Sequence, residues 1–214
     1  MNGGGIRNDG TLTLNNSTLS GNSAGADGGG IDIFLGIATL NNSTLSGNHA
    51  GVKGGGISNY AIASLWNATV SNSSAPTGGA LFMDSGTTTI LTNTILAYSA
   101  AGGNCFGTLT TSEFTISSDN SCALPPANTI NGLNPNNLDP LLTALGNYGG
   151  PTQVHMPRTG SPAIAGIVGT NTPATDQRGQ PRPGPDGNRD IGAVERQPDD
   201  SSLAPHLYLP LLRR

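Results

Sequence analysis

Charge is scarce in this chain. Of its 214 residues only 10% are Asp, Glu, Lys or Arg, and the net charge is -4. No basic stripe runs along it, which excludes the electrostatic footprint of a nucleic-acid-binding surface. Aromatics are also scarce, at 4%. No apolar run approaches the roughly 20 residues that span a bilayer as a helix. A basic start followed by an apolar stretch, the pattern of a signal peptide, is missing too. The first residues, MNGGGIRN, begin inside a repeat, so the chain reads as a fragment of a longer exported protein or a late start. Helix formers are diluted by 32 Gly and 15 Pro, the poorest helix residues, which argues against a helical protein.

Cysteine is limited to Cys105 and Cys122. An even count at a lone spacing suits one disulfide in an oxidising compartment, the alternative being two free thiols. Closing that loop would stabilise by roughly 3 kcal/mol.

Repetition is what the chain has in abundance. GGGIRNDGTLTLNNSTLSGN (3–22) returns as GGGIDIFLGIATLNNSTLSGN (28–48). Four apolar series follow: Ile6, Ile31, Ile57, Leu81; Leu14, Leu40, Leu65, Ile90; Leu19, Leu45, Val70, Ile95; and Ala24, Ala50, Ala75, Ala100. Steps of about 25 residues signal a solenoid. Leucine-rich repeats have a denser leucine pattern and usually a helical back. Here apolar and small polar residues alternate, as Leu12 and Leu14 do with Thr11 and Thr13, which is a strand signal. Three short strands per repeat, separated by Gly- and Asn-rich turns, predict an all-β parallel β-helix of about four coils over residues 1–100.

Stacked coils place like on like, about 4.8 Å apart. Asn22 over Asn48 predicts an amide ladder, and Thr18, Thr44, Thr69 and Thr94 an outer column. Charge is scarce because identical charges one rung apart repel. The ladder also accounts for the sequons at Asn16 and Asn67 without a sugar.

Beyond residue 100 the pattern loosens into an irregular coil holding the cysteines (101–138), a Pro- and Gly-rich segment (139–196), and a linker and tail (197–214). NCFG and SDNSC, then LDPLLTALGNYGGPTQVHMPRTGSPAIAGI, then TDQRGQPRPGPDGNRDIGAVE resemble the choice-of-anchor Q domain of exported bacterial proteins, over residues 104–196. The resemblance implies a right-handed, pectin-lyase-like β-helix after repeats similar to polymorphic outer-membrane proteins. It also implies a secreted or surface-attached protein with no established catalytic activity. Two positions depart from the family: Ala165 where it usually has Asp, and Arg189 where a Cys often precedes DIGA. The tail LAPHLYLPLLRR resembles short sorting tails; the alternative is a pairing strand or a frayed end.

Candidate chemistry is thin. Among Asp9, Asp27, Asp32, Lys53 and Asp84 no carboxylate pair of the glycosidase kind emerges. Asp32 aligns with Arg7 and Ser58, and reads as a surface ion pair with Arg7 worth under about 1 kcal/mol. Asp9 shares a column with Phe34, Tyr60 and Asp84. The charged cluster Asp176, Arg178, Arg182, Asp186, Arg189, Asp190 and Glu195 reads as a structural cap plugging the solenoid end, or else a binding site. Asp186, Asn188 and Asp190 alternate as in a calcium loop, but Ile191 and Gln197 stand where Gly and Glu belong. His49, His155 and His206 match no metal-ligand spacing. Ser161 fits no nucleophile elbow, and the glycine triplets read as turns.

Phe34, Tyr60 and Trp66 are candidates for stacking on sugars. A Thr column that would suit ice is broken, reading Thr11, Ile37, Ile62, Thr87. The expectation is a monomeric, non-catalytic, extracellular or cell-surface protein for adhesion, display or polysaccharide contact. It needs no cofactor, metal or nucleic acid. Its alternatives are a carbohydrate-active enzyme of the lyase or glycoside hydrolase type, and a purely structural stalk.

Overall fold

A computed structural model describes residues 2–167, 173–184 and 187–202. The first coil holds β1 (Ile6–Asn8), β2 (Thr11–Asn15), β3 (Thr18–Ser20) and β4 (Ser23–Ala24). The second holds β5 (Ile31–Ile33), β6 (Ile37–Asn41), β7 (Thr44–Ser46) and β8 (His49–Ala50). β9 (Ile57–Asn59), β10 (Ile62–Trp66) and β11 (Thr69–Ser71) make the third. β12 (Leu81–Met83), β13 (Thr88–Thr92) and β14 (Ile95–Ala97) make the fourth. A shorter fifth rung, β15 (Cys105–Phe106), β16 (Thr111–Glu113) and β17 (Ile116–Ser117), extends into the segment read as irregular.

Every pairing between rungs is parallel, giving three five-stranded sheets, β1-β5-β9-β12-β15, β2-β6-β10-β13-β16 and β3-β7-β11-β14-β17, called here the first, second and third. The chain is thus a parallel β-solenoid with almost no helix.

Inside the tube the columns are aliphatic. Ile6, Ile31, Ile57, Leu81 and Cys105 stack in the first sheet. Leu14, Leu40, Leu65 and Leu91 stack in the second. Leu19, Leu45, Val70 and Leu96 stack in the third. From the second rung on these side chains are buried, and each Leu or Ile so buried contributes roughly 1.5–3 kcal/mol.

The corners explain the asparagines. Asn16, Asn42, Asn67 and Asn93 all turn the chain from the second sheet to the third with φ between 45° and 54°, a left-handed conformation that Asn tolerates better than most residues. The amide ladder forms as expected: Asn22 Nδ2 donates to Asn48 Oδ1 at 3.0 Å and Asn41 Nδ2 to Asn15 Oδ1 at 2.9 Å. At Gly29 a Cβ would stand 2.4 Å from the carbonyl oxygens of His49 and Gly55, so the triplet is required by close passage of one turn over the next.

The fourth rung departs from the sequence reading. Leu91 and Leu96, not Ile90 and Ile95, continue the two leucine columns, since Ile90 pairs with Ser64 and Ile95 with Thr69. Ile95 therefore displaces Thr94 from the threonine column. Thr88, not Thr87, lies beside Ile62, and Ser74 pairs with Ala101, so Ala100 falls out of its column. Residues 84–87 make a longer loop before β13 than residues 60–61 make before β10. That length decides which of two adjacent apolar residues points inward, because a one-residue slip exchanges the faces of a strand.

Cys105 and Cys122 are disulfide-bonded. Cys105 is the last member of an inner column, so the bridge pins the following loop to the end of the core. It constrains the unfolded chain by roughly 3 kcal/mol.

Leu124 still packs into the core beside the disulfide, but the residues from 139 on do not plug an end of the tube, as the sequence reading had it. They lie along the third sheet. Thr18 Oγ1 donates to the Gln153 carbonyl at 2.6 Å, Thr44 Oγ1 to Gln177 Oε1 at 2.7 Å, and Thr69 Oγ1 accepts the Ala193 N–H at 3.1 Å. Ile95 and Ile116 pack with Ile130, Leu142, Ile167 and Ile191. A flank carrying a hydroxyl column and two outward isoleucines needs a cover. The cluster Asp176, Arg178, Arg182, Asp190 and Glu195 is part of that cover. Asp186, His206 and the tail at 203–214 lie outside the described residues, and among those described no helix is long and apolar enough to cross a membrane.

Register makes a direct prediction. Leu91→Ala opens a core cavity and costs about 2–5 kcal/mol in urea unfolding, whereas Ile90→Ala, on the outer face, costs less than half as much. The reverse ranking would show that the fourth rung follows the sequence reading.

Candidate functional site

The middle residues of β1, β5, β9, β12 and β15 face outward as one column: Arg7, Asp32, Ser58, Phe82 and Phe106. Beside it run Asp9, Phe34, Tyr60 and Asp84, each one residue past its strand. A third column at the preceding turn pairs Asp27 with Lys53 and Lys53 with Thr77. This first-sheet face concentrates most of the chain's aromatic and basic groups outside the cover.

At its start, the Arg7 guanidinium stands 4.3 Å from the centroid of the Phe34 ring and pairs with Asp9 at 3.2 Å and Asp32 at 3.4 Å. The pair with Asp32 is not the surface contact expected, since Asp32 is 0% exposed. Burial raises the Asp32 carboxyl above the usual range; Arg7 opposes this and Asp27 adds to it. Asp27 and Asp32 are therefore near neighbours, a closeness that reading each repeat separately did not reveal. The Tyr60 hydroxyl donates to Asp27 Oδ2 at 2.8 Å. Burial, then this bond, pushes its pKa to about 12.

Further along, aromatic rings stack. Tyr60 and Phe82 have centroids 5.6 Å apart at a 50° tilt, and Phe82 and Phe106 lie 5.6 Å apart and nearly parallel, at 7°. Lys53 Nζ sits 4.5 Å from the Phe82 centroid and 5.5 Å from that of Tyr60, a cation–π arrangement that holds the rings in place. Phe82 is nearly covered by these neighbours, whereas Phe106, on the last strand of the sheet, is 54% exposed.

Beside Phe106 opens a cleft of about 510 Å³ lined by Phe82, Asp84, Thr87, Phe106, Thr108 and Thr110, with parts of their loops. Two loops build it, 84–87 and 107–110. Gly107 is obligatory between them, because a Cβ there would lie 2.2 Å from the Met83 carbonyl oxygen. The cleft falls within the 300–1,000 Å³ usual for ligand sites. It can offer a ring face, a carboxylate and hydroxyls.

Of the three aromatics singled out from the sequence, Phe34 and Tyr60 do sit on adjacent rungs of this face. Trp66 does not join them. It projects from β10 on the second sheet, in register with Asn41 and Thr92. Phe82 and Phe106 were missed, although extending the column Arg7, Asp32, Ser58 by one repeat at a time reaches both.

The cover holds a larger cleft, about 660 Å³, with Asn131, Ser161, Asp190, Glu195 and Arg196 among its walls. Its acids are engaged structurally. Asp190 accepts the backbone N–H groups of Ala165 at 2.8 Å and Arg196 at 2.7 Å, and burial raises its pKa to about 6. Glu195 takes Arg182 Nη1 at 3.0 Å and the Asp190 N–H at 3.0 Å. Arg178 bridges Asp176 at 3.0 Å and Asp200 at 2.9 Å. Ser161 Oγ donates to the Pro140 carbonyl at 2.6 Å and accepts the Ala163 N–H, so it is a turn residue. Buried ion pairs of this kind hold geometry more than they add stability.

His155 is also buried, its ring nitrogens 2.8 Å from the Thr143 carbonyl and 2.9 Å from Ser46 Oγ. It joins the cover to β7. Among the described residues no group of three or more His, Cys, Asp or Glu gathers to hold a metal. The chain matches no protein-family model, no curated protein and no solved structure.

Burial lowers the His155 pKa below its ordinary 6.5 and raises that of Asp190. Below about 6.5 the unfolded histidine takes up a proton that the native one refuses, so stability falls as pH drops. The native Asp190 binds its proton first, between about 6 and 4, so its contribution rises over that window. Thermal melts across the acid range should therefore fall less steeply with pH for His155→Gln and more steeply for Asp190→Asn. Parallel slopes in all three proteins would contradict this assignment.

Proposed function

We propose that this protein is a non-catalytic, exported β-solenoid that contacts polysaccharide through the first-sheet face, as part of a secreted or cell-surface protein. One observation carries the reading. The aromatic ladder Tyr60–Phe82–Phe106 ends on an open ring, 54% exposed, at the mouth of a cleft lined with hydroxyls.

The physical logic is that of the fold itself. Phe106 is stacked on Phe82, and among the described residues the sheet has no further strand to supply another ring. A pyranose presents an apolar C–H face of similar breadth, so a sugar ring can take the next place in the stack. Phe106 is stacked on Phe82, itself held by Lys53, so less side-chain entropy is lost on binding. The threonine hydroxyls and Asp84 then read the sugar's edge.

Export is supported by the disulfide, which persists in oxidising compartments. The choice-of-anchor Q resemblance, on the motifs between 104 and 196, points the same way. The first-sheet acids favour binding over turnover: Asp32 is buried beneath its neighbours and an Asp27 oxygen accepts the Tyr60 hydroxyl.

Affinity electrophoresis through gels cast with different polysaccharides tests the proposal. At least one should retard the protein. Phe106→Ala should abolish most of that retardation, Phe106→Tyr should restore it, and Trp66→Ala should leave it unchanged. Retardation insensitive to Phe106, or steady release of sugar by the purified protein, would refute the reading.

A further inference from the structure

The cleft beside Phe106 has an unusual charge balance. Its lining includes the exposed Asp84 and no Lys, Arg or His. Asp84 takes part in none of the ion pairs among the described residues. Its backbone carbonyl is occupied by Thr87 Oγ1 at 2.9 Å, which fixes the loop and leaves the carboxylate at the rim.

The wider surface has the same bias. From Ile6 to Ser117 the acids are Asp9, Asp27, Asp32, Asp84 and Glu113, and the bases are Arg7 and Lys53 alone. Both bases are engaged, Arg7 by two carboxylates and Lys53 by two rings. Arg178, Arg182 and Arg189 are buried within the cover. Over this stretch five acids against two bases leave a balance of -3, and Asp84 is exposed.

From this charge pattern, and resting on the sugar-contact reading above, we infer that the Phe106 cleft takes amino sugars: a glycan bearing free, protonated amines, with the ring stacked on Phe106 and the ammonium against Asp84. Asp84 disfavours uronates and sulfated sugars, whose charge would meet its carboxylate in a cleft whose lining holds no base, Lys53 lying behind the Phe82 ring. An exposed carboxylate–ammonium contact is worth up to about 1 kcal/mol, which corresponds to a two- to fivefold preference. The preference should fade as salt screens it.

Calorimetry at mildly acid pH, with chitosan oligomers, the same oligomers fully N-acetylated, and oligogalacturonate, tests the assignment. The free-amine oligomer should bind roughly two- to fivefold tighter than its acetylated form, and oligogalacturonate weakest. Asp84→Asn should erase the difference between the first two. Phe106→Ala should weaken both, with Phe106→Tyr as the folded control that recovers them. A preference that survives Asp84→Asn, or oligogalacturonate binding tightest, overturns the amino-sugar assignment and leaves sugar contact standing. Binding that ignores Phe106 altogether refutes the parent reading instead.

Discussion

In-register pairing of each strand with its equivalent one rung away is the constraint on which everything else depends. It satisfies the backbone, and it forces chemically similar side chains into columns. Aliphatic columns inside make a core without large aromatics. Asparagine columns at the corners combine a left-handed backbone with an amide ladder. Where charge does occur at the start of the tube, a neighbouring rung offers the opposite sign or a ring, as for Arg7 over Phe34 and beside Asp32. The low charge content and the repetition are two consequences of one geometry.

The same constraint makes the outer faces differ in role. The third sheet presents hydroxyls and, from the fourth rung, isoleucine, and it is covered by the C-terminal half. That cover is held by buried polar contacts that reach several rungs, such as Gln177 to Thr18 and Thr44 and His155 to Ser46. Its ion pairs point inward and are buried. On the first sheet the outer column is largely covered by its own neighbours, and Phe106 is left open at its end. Phe82 is packed between Tyr60 and Phe106, and the last ring is left open.

Much of the fold was legible in the residues. The period, the alternation in TLTL and the recurrence of LNNSTLSGN led to a parallel solenoid, and the column Asp9, Phe34, Tyr60, Asp84 stands as aligned. The site was only half legible. Phe34 and Tyr60 were found because they neighbour one another in the repeats. Phe106 was not, because the repeat is degraded where it occurs and its strand is only two residues long. Trp66 does point outward, but from the second sheet, since an outward residue can lie on any of three sheets.

The amino-acid sequence by itself determined the kind of structure, the composition of its core and the scarcity of charge, since all three follow from local periodicity. Tertiary structure alone decided the register of the fourth rung, where Ile90 and Leu91 are equally apolar and only the length of the preceding loop separates them. It alone decided that the C-terminal half lies on a flank instead of an end. It alone brought Lys53, Tyr60, Phe82 and Phe106 into one file. The reason is the same in each case: residues about 25 apart become neighbours only after the coils have closed, and small changes in loop length then choose which of them meet.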